Sequence, residues 1–544
     1  MGKLVSFEAA RGNFGELQEH LTLLPRARRF IFGPLRCDNP DAMTATHSPQ
    51  PAPTGPPAAR FAELRRRHPR FVYERFTLGR AGPGFHAQFR FHLEPDIEFT
   101  PEIIIKTVDW ARVEEMPRAA LENLFFPLGL VEMLSYWKAA CSPEIVIRAG
   151  SLPPEQIAWW MDLLRRGMGE YFYVNQIDFR APDLVRILSA PRTIASSAVI
   201  PSESRAGRGT TRDLHLNSSP QNEEKQIARS TRNDTAKNLV LTSGGKDSVV
   251  TLETLCAAGQ PFDCLLINPA QSALDIAREA GCAKPIIIRR TIDNRLLALN
   301  AAGYLNGHTP FSALLAFLGV TVAALFGHRR VIVSNERSAE EASVEYLGAQ
   351  INHQYSKTFE FETAFREYSR KYLSPEIEYF SLLRPLYELQ IAERFARLPQ
   401  YLPLFRSCNR GMGDNTWCGR CPKCLFVWTA LYPFVERDQL LQIFGKDLFT
   451  SDHAAETLRA LLGLDATKPF ECVGTREETL AAIHLCVEKY KLQGVALPLS
   501  LLTIEKTVLA SRADLPALAQ HILASGTEKH HIPADLVPLL RRQN

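Results

Sequence analysis

Two kinds of hydrophobic patterning divide the chain. Apolar and polar residues alternate through Phe71-Val72-Tyr73-Glu74-Arg75-Phe76-Thr77-Leu78 and again through Phe85-His86-Ala87-Gln88-Phe89-Arg90-Phe91-His92-Leu93. That is the period-two signature of half-buried antiparallel strands. A helical stretch follows at about 118–140, then a strand over Glu144–Arg148, a helix over Pro154–Gly167 and a strand-like Tyr171-Phe172-Tyr173-Val174. Together these read as an α+β domain over 61–190. From residue 237 short apolar runs alternate with helical ones: strands at Leu239–Thr242, Asp263–Ile267, Ile286–Ile288 and Val331–Ser334, helices at Val249–Ala257 and Phe311–Phe326. This alternation predicts an α/β domain over 237–400, a parallel sheet with crossover helices. Ligands of such sheets lie beyond the carboxyl ends of the strands. A short cysteine-rich segment occupies 401–430, and 431–544 reads as mostly helical.

Two stretches fit neither pattern. Residues 1–60 end in a proline-rich run, His47 to Pro57, that cannot build a core, with Met43 as an alternative start just before it. Residues 191–236 are rich in Ser, Arg, Asn and Thr and read as a linker. A length of 544 residues calls for two or three domains. A formal charge of +4 is too small for this length to argue for a nucleic-acid partner, and Glu94, Asp96, Glu98 and Glu102 put acidic groups on the N-terminal strands. The most apolar run, 311–326, is shorter than a bilayer span, and the N-terminus lacks a signal-peptide core, so a cytoplasmic enzyme is expected with no membrane partner. The basic run Arg65-Arg66-Arg67 is either a solvated helix face or an approach to a diphosphate.

The most informative chemistry follows the strand at 239–242. Ser243-Gly244-Gly245-Lys246-Asp247-Ser248 breaks the apolar run with paired glycines and leads into a helix. Backbone N–H groups at such a turn are unpaired and sit at the positive end of the helix dipole. Lys246 adds a full charge and Ser243 and Ser248 add hydroxyls, making a pocket suited to pyrophosphate. It is not a Walker A loop, because Val240 and Asp247 stand where that motif has Gly and Ser or Thr. It resembles the SGGxDS loop of the PP-loop ATP pyrophosphatases, whose adenine nucleotide alpha hydrolase-like fold is an α/β parallel sheet. That resemblance implies ATP cleavage between the α and β phosphates and transfer of AMP to a substrate oxygen.

Eleven cysteines in a chain of this size do not suggest a disulfide framework. Cys408, Cys418, Cys421 and Cys424 have the spacing C-x9-C-x2-C-x2-C, which suits a tetrahedral thiolate site for structural Zn²⁺. An iron–sulfur centre and unmetalled thiols are the other readings. Cys37, Cys141, Cys256, Cys264, Cys282 and Cys486 stand in apolar or irregular surroundings and read as ordinary thiols.

Several blocks carry a narrower resemblance: Leu134-Ser-Tyr-Trp-Lys-Ala-Ala, Glu170-Tyr-Phe-Tyr-Val-Asn, Leu305-Asn-Gly-His-Thr-Pro, Ser334-Asn-Glu-Arg-Ser, Asn352-His-Gln-Tyr-Ser-Lys, Tyr379-Phe-Ser-Leu-Leu-Arg-Pro and Lys468-Pro-Phe-Glu-Cys-Val-Gly. In this order they resemble the UDP-N-acetylmuramoyl-L-alanyl-L-glutamate epimerases, from about residue 71 to about 490. The resemblance implies an isomerase that uses ATP and Mg²⁺ to invert the terminal L-Glu of UDP-MurNAc-L-Ala-L-Glu, through an acyl-adenylate, supplying D-Glu for peptidoglycan. On this reading Ser243, Gly244, Gly245, Lys246, Asp247, Ser248 and Asn335 hold the nucleotide and Asp247 contacts Mg²⁺. Lys246, Glu336, Arg337, His353, Lys357 and Cys472 are the catalytic candidates, with His308 and Tyr355 on adjoining loops. A PP-loop enzyme adenylating a nucleobase, a tRNA or another peptide, and a nucleotide-sensing protein without catalysis, are the competing readings.

Overall fold

The alternating segments near the N-terminus form the long hairpin the pattern predicts. In the computed structural model, which describes residues 56–190, 238–411, 413–465 and 467–541, β1 (Arg70–Ala81) pairs antiparallel with β2 (Gly84–Leu93) from Phe71↔Leu93 to Ala81↔Gly84. Apolar residues of β2 alternate inward, with Phe85, Ala87, Phe89, Phe91 and Leu93 all buried. The remaining strands are β3 (Ile97–Phe99), β4 (Glu102–Ile105), β5 (Glu144–Ile147), β6 (Arg186–Ser189), β7 (Asn238–Leu241), β8 (Phe262–Ile267), β9 (Ile286–Thr291), β10 (Arg330–Val333), β11 (Val344–Tyr346), β12 (Ala349–Ile351) and β13 (Glu378–Ser381). Apart from the β11–β12 hairpin they form one sheet in the order β13-β10-β7-β8-β9-β4-β2-β1-β5-β6, with β3 on β2. The β13-to-β9 half is parallel, and β4 joins it by an antiparallel ladder from Glu102↔Thr291 to Ile105↔Ile288. Strands expected of two domains therefore share one hydrogen-bonded sheet.

Two cores cover its faces. Leu239 and Val331 point into one and their neighbours Val240 and Ile332 into the other, as the two-residue period of a strand requires. The first core is closed by helices Arg118–Trp137, Pro154–Gly167 and Phe311–Phe326. The helix Arg118–Trp137 lies so close to β1 that a Cβ on Gly129 would overlap the Tyr73 hydroxyl. Glu132 of this helix takes a bidentate bond from Arg290 of β9, at 2.8 and 2.9 Å. Removing one partner of such a buried pair leaves the other charge unpaired, at a typical cost of about 3–5 kcal/mol. The second core is closed by helices Lys246–Ala257, Glu388–Ala396, Pro422–Leu431 and Arg476–Leu492. Every element described beyond residue 431 is helical, and among the described residues no helix is long and apolar enough to cross a membrane.

Some expectations need correction or refinement. Tyr171-Phe172-Tyr173-Val174 belongs to a helix, Gly169–Val174, because adjacent Tyr171 and Phe172 are both buried where a strand would turn one outward. The proline-rich lead gives way earlier than expected, since a helix spans Pro57–Arg67 with its first proline at the first helical position, where no N–H is needed. Within the basic run Arg66 is exposed, as a solvated helix face requires, whereas the Arg65 guanidinium turns inward and donates to Cys141 O at 2.6 Å and Leu184 O at 2.8 Å. Cys256 is exposed, unlike Cys141, Cys264, Cys282 and Cys486. Cys37, Met43 and the stretch 191–236 lie outside the described residues.

Candidate active site

The parallel half contains one reversal of strand order. From β7 the chain builds outward through β8 and β9, then returns to lay β10 and β13 on the other side. A crevice opens at the carboxyl ends of the strands flanking such a reversal. Three loops meet there: 242–248 after β7, 334–338 after β10 and 382–387 after β13.

The first loop is drawn tight by its own side chains. Ser248 Oγ accepts from Ser243 N at 2.9 Å and lies 3.0 Å from Ser243 Oγ. Gly244 passes so close to Ser272 Oγ and Arg406 O that a Cβ would not fit. The helix Lys246–Ala257 then starts from Gly245 with no side-chain cap. Thr251 of this helix meets Ser334 Oγ at 2.8 Å, tying the loops after β7 and β10 together.

Lys246 turns back beneath the loop into a group of carboxylates. Its Nζ donates to Asp247 Oδ1 at 2.5 Å and to Glu388. Asp247, Glu336 and Glu388 offer oxygens that all lie within 4.8 Å of one another. Burial works against the charge on Lys246, but Asp247 and Glu388 outweigh it and hold the ammonium well above its usual range. Burial and the Asp247 charge push Glu388 upward. Three carboxylates within reach of one another form a donor set of the kind a hard divalent cation takes, with Lys246 and Lys357 balancing their charge in its place. Asn335 is buried beside Tyr379.

Arg337 does not join this group. Its guanidinium lies 4.3 Å from the Tyr387 ring centroid and reaches Gly526 O at 3.5 Å, so it braces the C-terminal helices. The arginine at the crevice is Arg384, fully buried, which donates to Glu336 O at 2.9 Å and to Lys357 O. Tyr355 is also turned away, its hydroxyl meeting Asp162 at 3.3 Å.

A second cluster forms where three further loops converge. Asn352 accepts from Gln354 N at 2.7 Å and donates to Ala339 O at 2.7 Å, an Asx turn that presents His353. Lys468 fixes the segment carrying Cys472 by donating to Glu341 at 2.7 Å and Gly474 O at 2.6 Å. Lys138 and Asn175 hold the 306–308 loop through Gly307 O and Asn306 O, at 2.8 and 2.9 Å. His353 Nδ1 bonds Glu170 Oε2 at 2.5 Å, and its ring centroid lies 4.6 Å from that of His308. The Cys472 sulfur receives Gln354 Nε2 and has Lys357 Nζ at 3.8 Å.

The electrostatics of this cluster favour a separated charge pair. Burial alone would raise the Cys472 thiol, yet Lys357, Lys423 and His353 bring it well below the usual thiol range. Burial opposes charge on His353 too, but Cys472 and Glu170 carry it up to about 9. Burial and the neighbouring positive charges of His353, Lys138 and Lys357 push His308 down to about 3, leaving it neutral. Glu170, His308 and His353 also lie within 4.8 Å of one another, but the lysines beside them oppose a second cation there. Lys357 joins the two clusters, since its charge is stabilised by Cys472 and by Glu336, Asp247 and Glu388. Cys472 should accordingly react with iodoacetamide at pH 6 ahead of Cys256, which is more exposed but whose thiol burial and Glu253 raise. Peptide mass mapping after brief labelling checks this, and Cys256 labelling first would refute the thiolate.

Sequence reasoning missed Glu388, Arg384 and Glu170 as site residues. Arg384 and Glu170 stand inside the blocks quoted above, but Glu388 carries no local signal beyond an acid in the first turn of a helix.

The four cysteines converge beside the first loop. Cys408 and Cys421 sulfurs are 3.9 Å apart, Cys418 and Cys424 3.7 Å, and Cys421 and Cys424 3.4 Å. Their sulfurs also accept from the backbone N–H of Gly411, Cys418 and Cys424. This arrangement can hold a single metal ion.

Two family models match the chain. The MurL N-terminal domain matches residues 62–382 and the MurL C-terminal domain residues 404–511. The chain belongs to the MurL family. The first MurL domain runs through the junction of β4 with β9, and the second holds Cys408, Cys418, Cys421, Cys424 and Cys472. Among curated MurL-family relatives, the UDP-N-acetyl-alpha-D-muramoyl-L-alanyl-L-glutamate epimerase of Micromonospora sp. is 35% identical over 375 residues, 68% of this chain and 76% of the relative. That of Salinispora tropica is 35% identical over 376 residues, 68% and 74% of the two chains. That of Xanthomonas oryzae pv. oryzae is 34% identical over 377 residues, 68% and 76%.

Proposed function

We propose that this protein is an ATP-dependent epimerase that inverts the terminal L-glutamate of UDP-MurNAc-L-Ala-L-Glu to D-glutamate, releasing AMP and pyrophosphate. The observation that carries the reading is Lys357, whose ammonium lies 3.8 Å from the Cys472 sulfur and is held charged also by Glu336, Asp247 and Glu388, so that it links the acidic, glycine-lined loop to the cysteine–histidine cluster. The names of its relatives supply the substrate.

The chemistry needs both halves. A free carboxylate beside Cα–H opposes formation of a second negative charge there. Once the carboxylate is converted to an acyl-adenylate, its charge is gone and a modest base can take the proton. In a PP-loop reading, the backbone N–H groups of 244–248, with Ser243, Ser248 and Lys246, receive the pyrophosphate being released. Asp247, Glu336 and Glu388 would hold Mg²⁺, which supplies charge screening for the phosphates when bound. Asn335 lines the same nucleotide site. The proton-transfer groups belong to the second cluster, where His353 and Cys472 are buried enough to be tuned and close enough to exchange charge. The sulfur separations of the cysteine group match the roughly 3.8 Å edges of a tetrahedron around Zn²⁺ with Zn–S of about 2.3 Å. An iron–sulfur cluster would spread the sulfurs farther, one to each iron. Such a zinc is structural, since all four positions are filled by thiolates.

The test is incubation with ATP, Mg²⁺ and UDP-MurNAc-L-Ala-L-Glu in D₂O, followed by mass spectrometry and chiral analysis of the glutamate. One deuterium in D-glutamate with substrate-dependent AMP is the expected result. AMP without inversion would keep an adenylating enzyme and reject the epimerase. No AMP would point instead to a nucleobase, a tRNA or another peptide.

A further inference from the structure

We propose that Cys472 is a covalent nucleophile: its sulfur takes the glutamyl group from the adenylate as a thioester, and His353 later activates the water that releases it. The assignment rests on the epimerase reading and adds to it a second activated form of the substrate.

Geometry carries the argument. A nucleophile of this kind needs a base bonded to it, a third group that orients the base, and donors for the oxygen that turns negative during attack. The surroundings of Cys472 supply each part. The His353 ring bonds the Cys472 sulfur directly, and its Nδ1 bonds Glu170 Oε2 at 2.5 Å, which fixes the direction of the ring. Two N–H donors stand at the sulfur, Gln354 Nε2 and Lys357 Nζ, the latter at 3.8 Å. An acyl oxygen that gains charge beside the sulfur can be received by the same donors. Cys472 is also partly accessible, whereas Cys141, Cys264, Cys282 and Cys486 are buried. A proton acceptor alone would need only the anion, not the oriented imidazole and the flanking donors. The sulfur is placed for the transfer as well. The Lys357 ammonium that contacts it is held charged by Asp247, Glu336 and Glu388 too, so one side chain spans from the sulfur to the loop read as the nucleotide site.

The balance closes at each step. The thiolate adds its electron pair to the acyl carbon, the carbon–oxygen bond to phosphate breaks, and AMP leaves with the proton that His353 gives up. Sulfur donates only weakly into a carbonyl, so the thioester keeps its Cα–H acidic and holds the substrate after AMP has departed. Loss and return of the Cα proton leave the carbon–sulfur bond intact. Neutral His353 then takes a proton from water, the water oxygen adds to the acyl carbon, and the carbon–sulfur bond breaks. Thiolate and imidazolium are restored, and the product acid gives its proton to solvent. No oxidant or reductant is required.

The experiment compares Cys472→Ala, Cys472→Ser and His353→Gln with the unaltered protein, using ATP, Mg²⁺ and UDP-MurNAc-L-Ala-L-Glu. ATP–pyrophosphate exchange on the same samples reports whether folding and adenylation survive. Cys472→Ala should keep that exchange and lose AMP release by about 10³-fold or more, since its adenylate meets no sulfur. His353→Gln, quenched in acid during turnover, should carry the mass of the substrate acyl group on the peptide containing Cys472, and neutral hydroxylamine should remove it. AMP release by Cys472→Ala within tenfold of the unaltered protein would overturn the assignment. So would the lack of any adduct on both acid-quenched His353→Gln and acid-quenched unaltered protein. Loss of exchange by Cys472→Ala and Cys472→Ser alike would also overturn it, making the cysteine structural. Absence of substrate-dependent pyrophosphate exchange in the unaltered protein would instead reject the epimerase reading itself, and this assignment with it.

Discussion

Lys246→Met is expected to abolish nucleotide-dependent activity, lowering ATP–pyrophosphate exchange by at least about 10²- to 10³-fold, the usual effect of deleting one preorganised charge that faces a developing anion. Lys246 is almost fully buried and is bonded to Asp247 and Glu388, so no other residue on that helix can take its place. Its loss also leaves Glu388 buried with Asp247 and Glu336 and no directly bonded cation. Breaking one side of a buried ion pair typically costs about 3–5 kcal/mol, though Glu388 can relieve part of that by taking up a proton. The double variant Lys246→Met/Glu388→Gln separates the two effects. It should recover much of the stability in urea unfolding and none of the exchange. Exchange within tenfold of the unaltered protein in Lys246→Met would show that the lysine only neutralises its neighbours.

Cys421→Ser is expected to give the largest loss of stability. Cys421 has two sulfur neighbours, at 3.4 and 3.9 Å, and its side chain also caps the helix Pro422–Leu431 by accepting from Cys424 N. That helix is buried over most of its length in the second core, packed on Glu388–Ala396 and Arg476–Leu492. Structural zinc contributes roughly 10 kcal/mol or more to the folding of small metal domains, and a larger core dilutes but does not remove that dependence. The variant should lose bound zinc by elemental analysis, from about one per chain to almost none. It should melt about 10 °C or more lower. A chelator should lower the melting temperature of the unaltered protein in the same direction. Full thermal stability without zinc would reduce the cluster to packed thiols.

What could be read from the sequence was written in local signals. The paired glycines and charges of 243–248, the strict alternation of 85–93 and the short cysteine intervals each announce themselves within a few residues. Helix Phe311–Phe326 was readable because an apolar run of that length suits a buried helix better than a strand. The remaining features depend on which distant segments meet. Ile103-Ile104-Ile105 is a strand by composition, but nothing nearby reveals that it pairs with β9 across nearly two hundred residues. Glu388 looks like a routine helix-start acid until Lys246 is seen to reach it. Arg337 follows a candidate site residue, yet Tyr387 and Gly526 draw it elsewhere, while Arg384 arrives from the loop after β13, a strand the pattern did not reveal.

The ladder between β4 and β9 has a mechanical consequence. Many two-lobed enzymes admit substrate by swinging one lobe about a flexible strap, but here the boundary is backbone-bonded sheet reinforced by Glu132 and Arg290. Bending it would rupture cross-strand hydrogen bonds within the core. Entry of substrate is therefore expected to involve small displacements of the loops that carry His308, His353 and Cys472. Solution scattering should record almost the same radius of gyration with and without nucleotide, while hydrogen exchange should slow at those three stretches and leave the Ile103–Ile105 ladder unchanged.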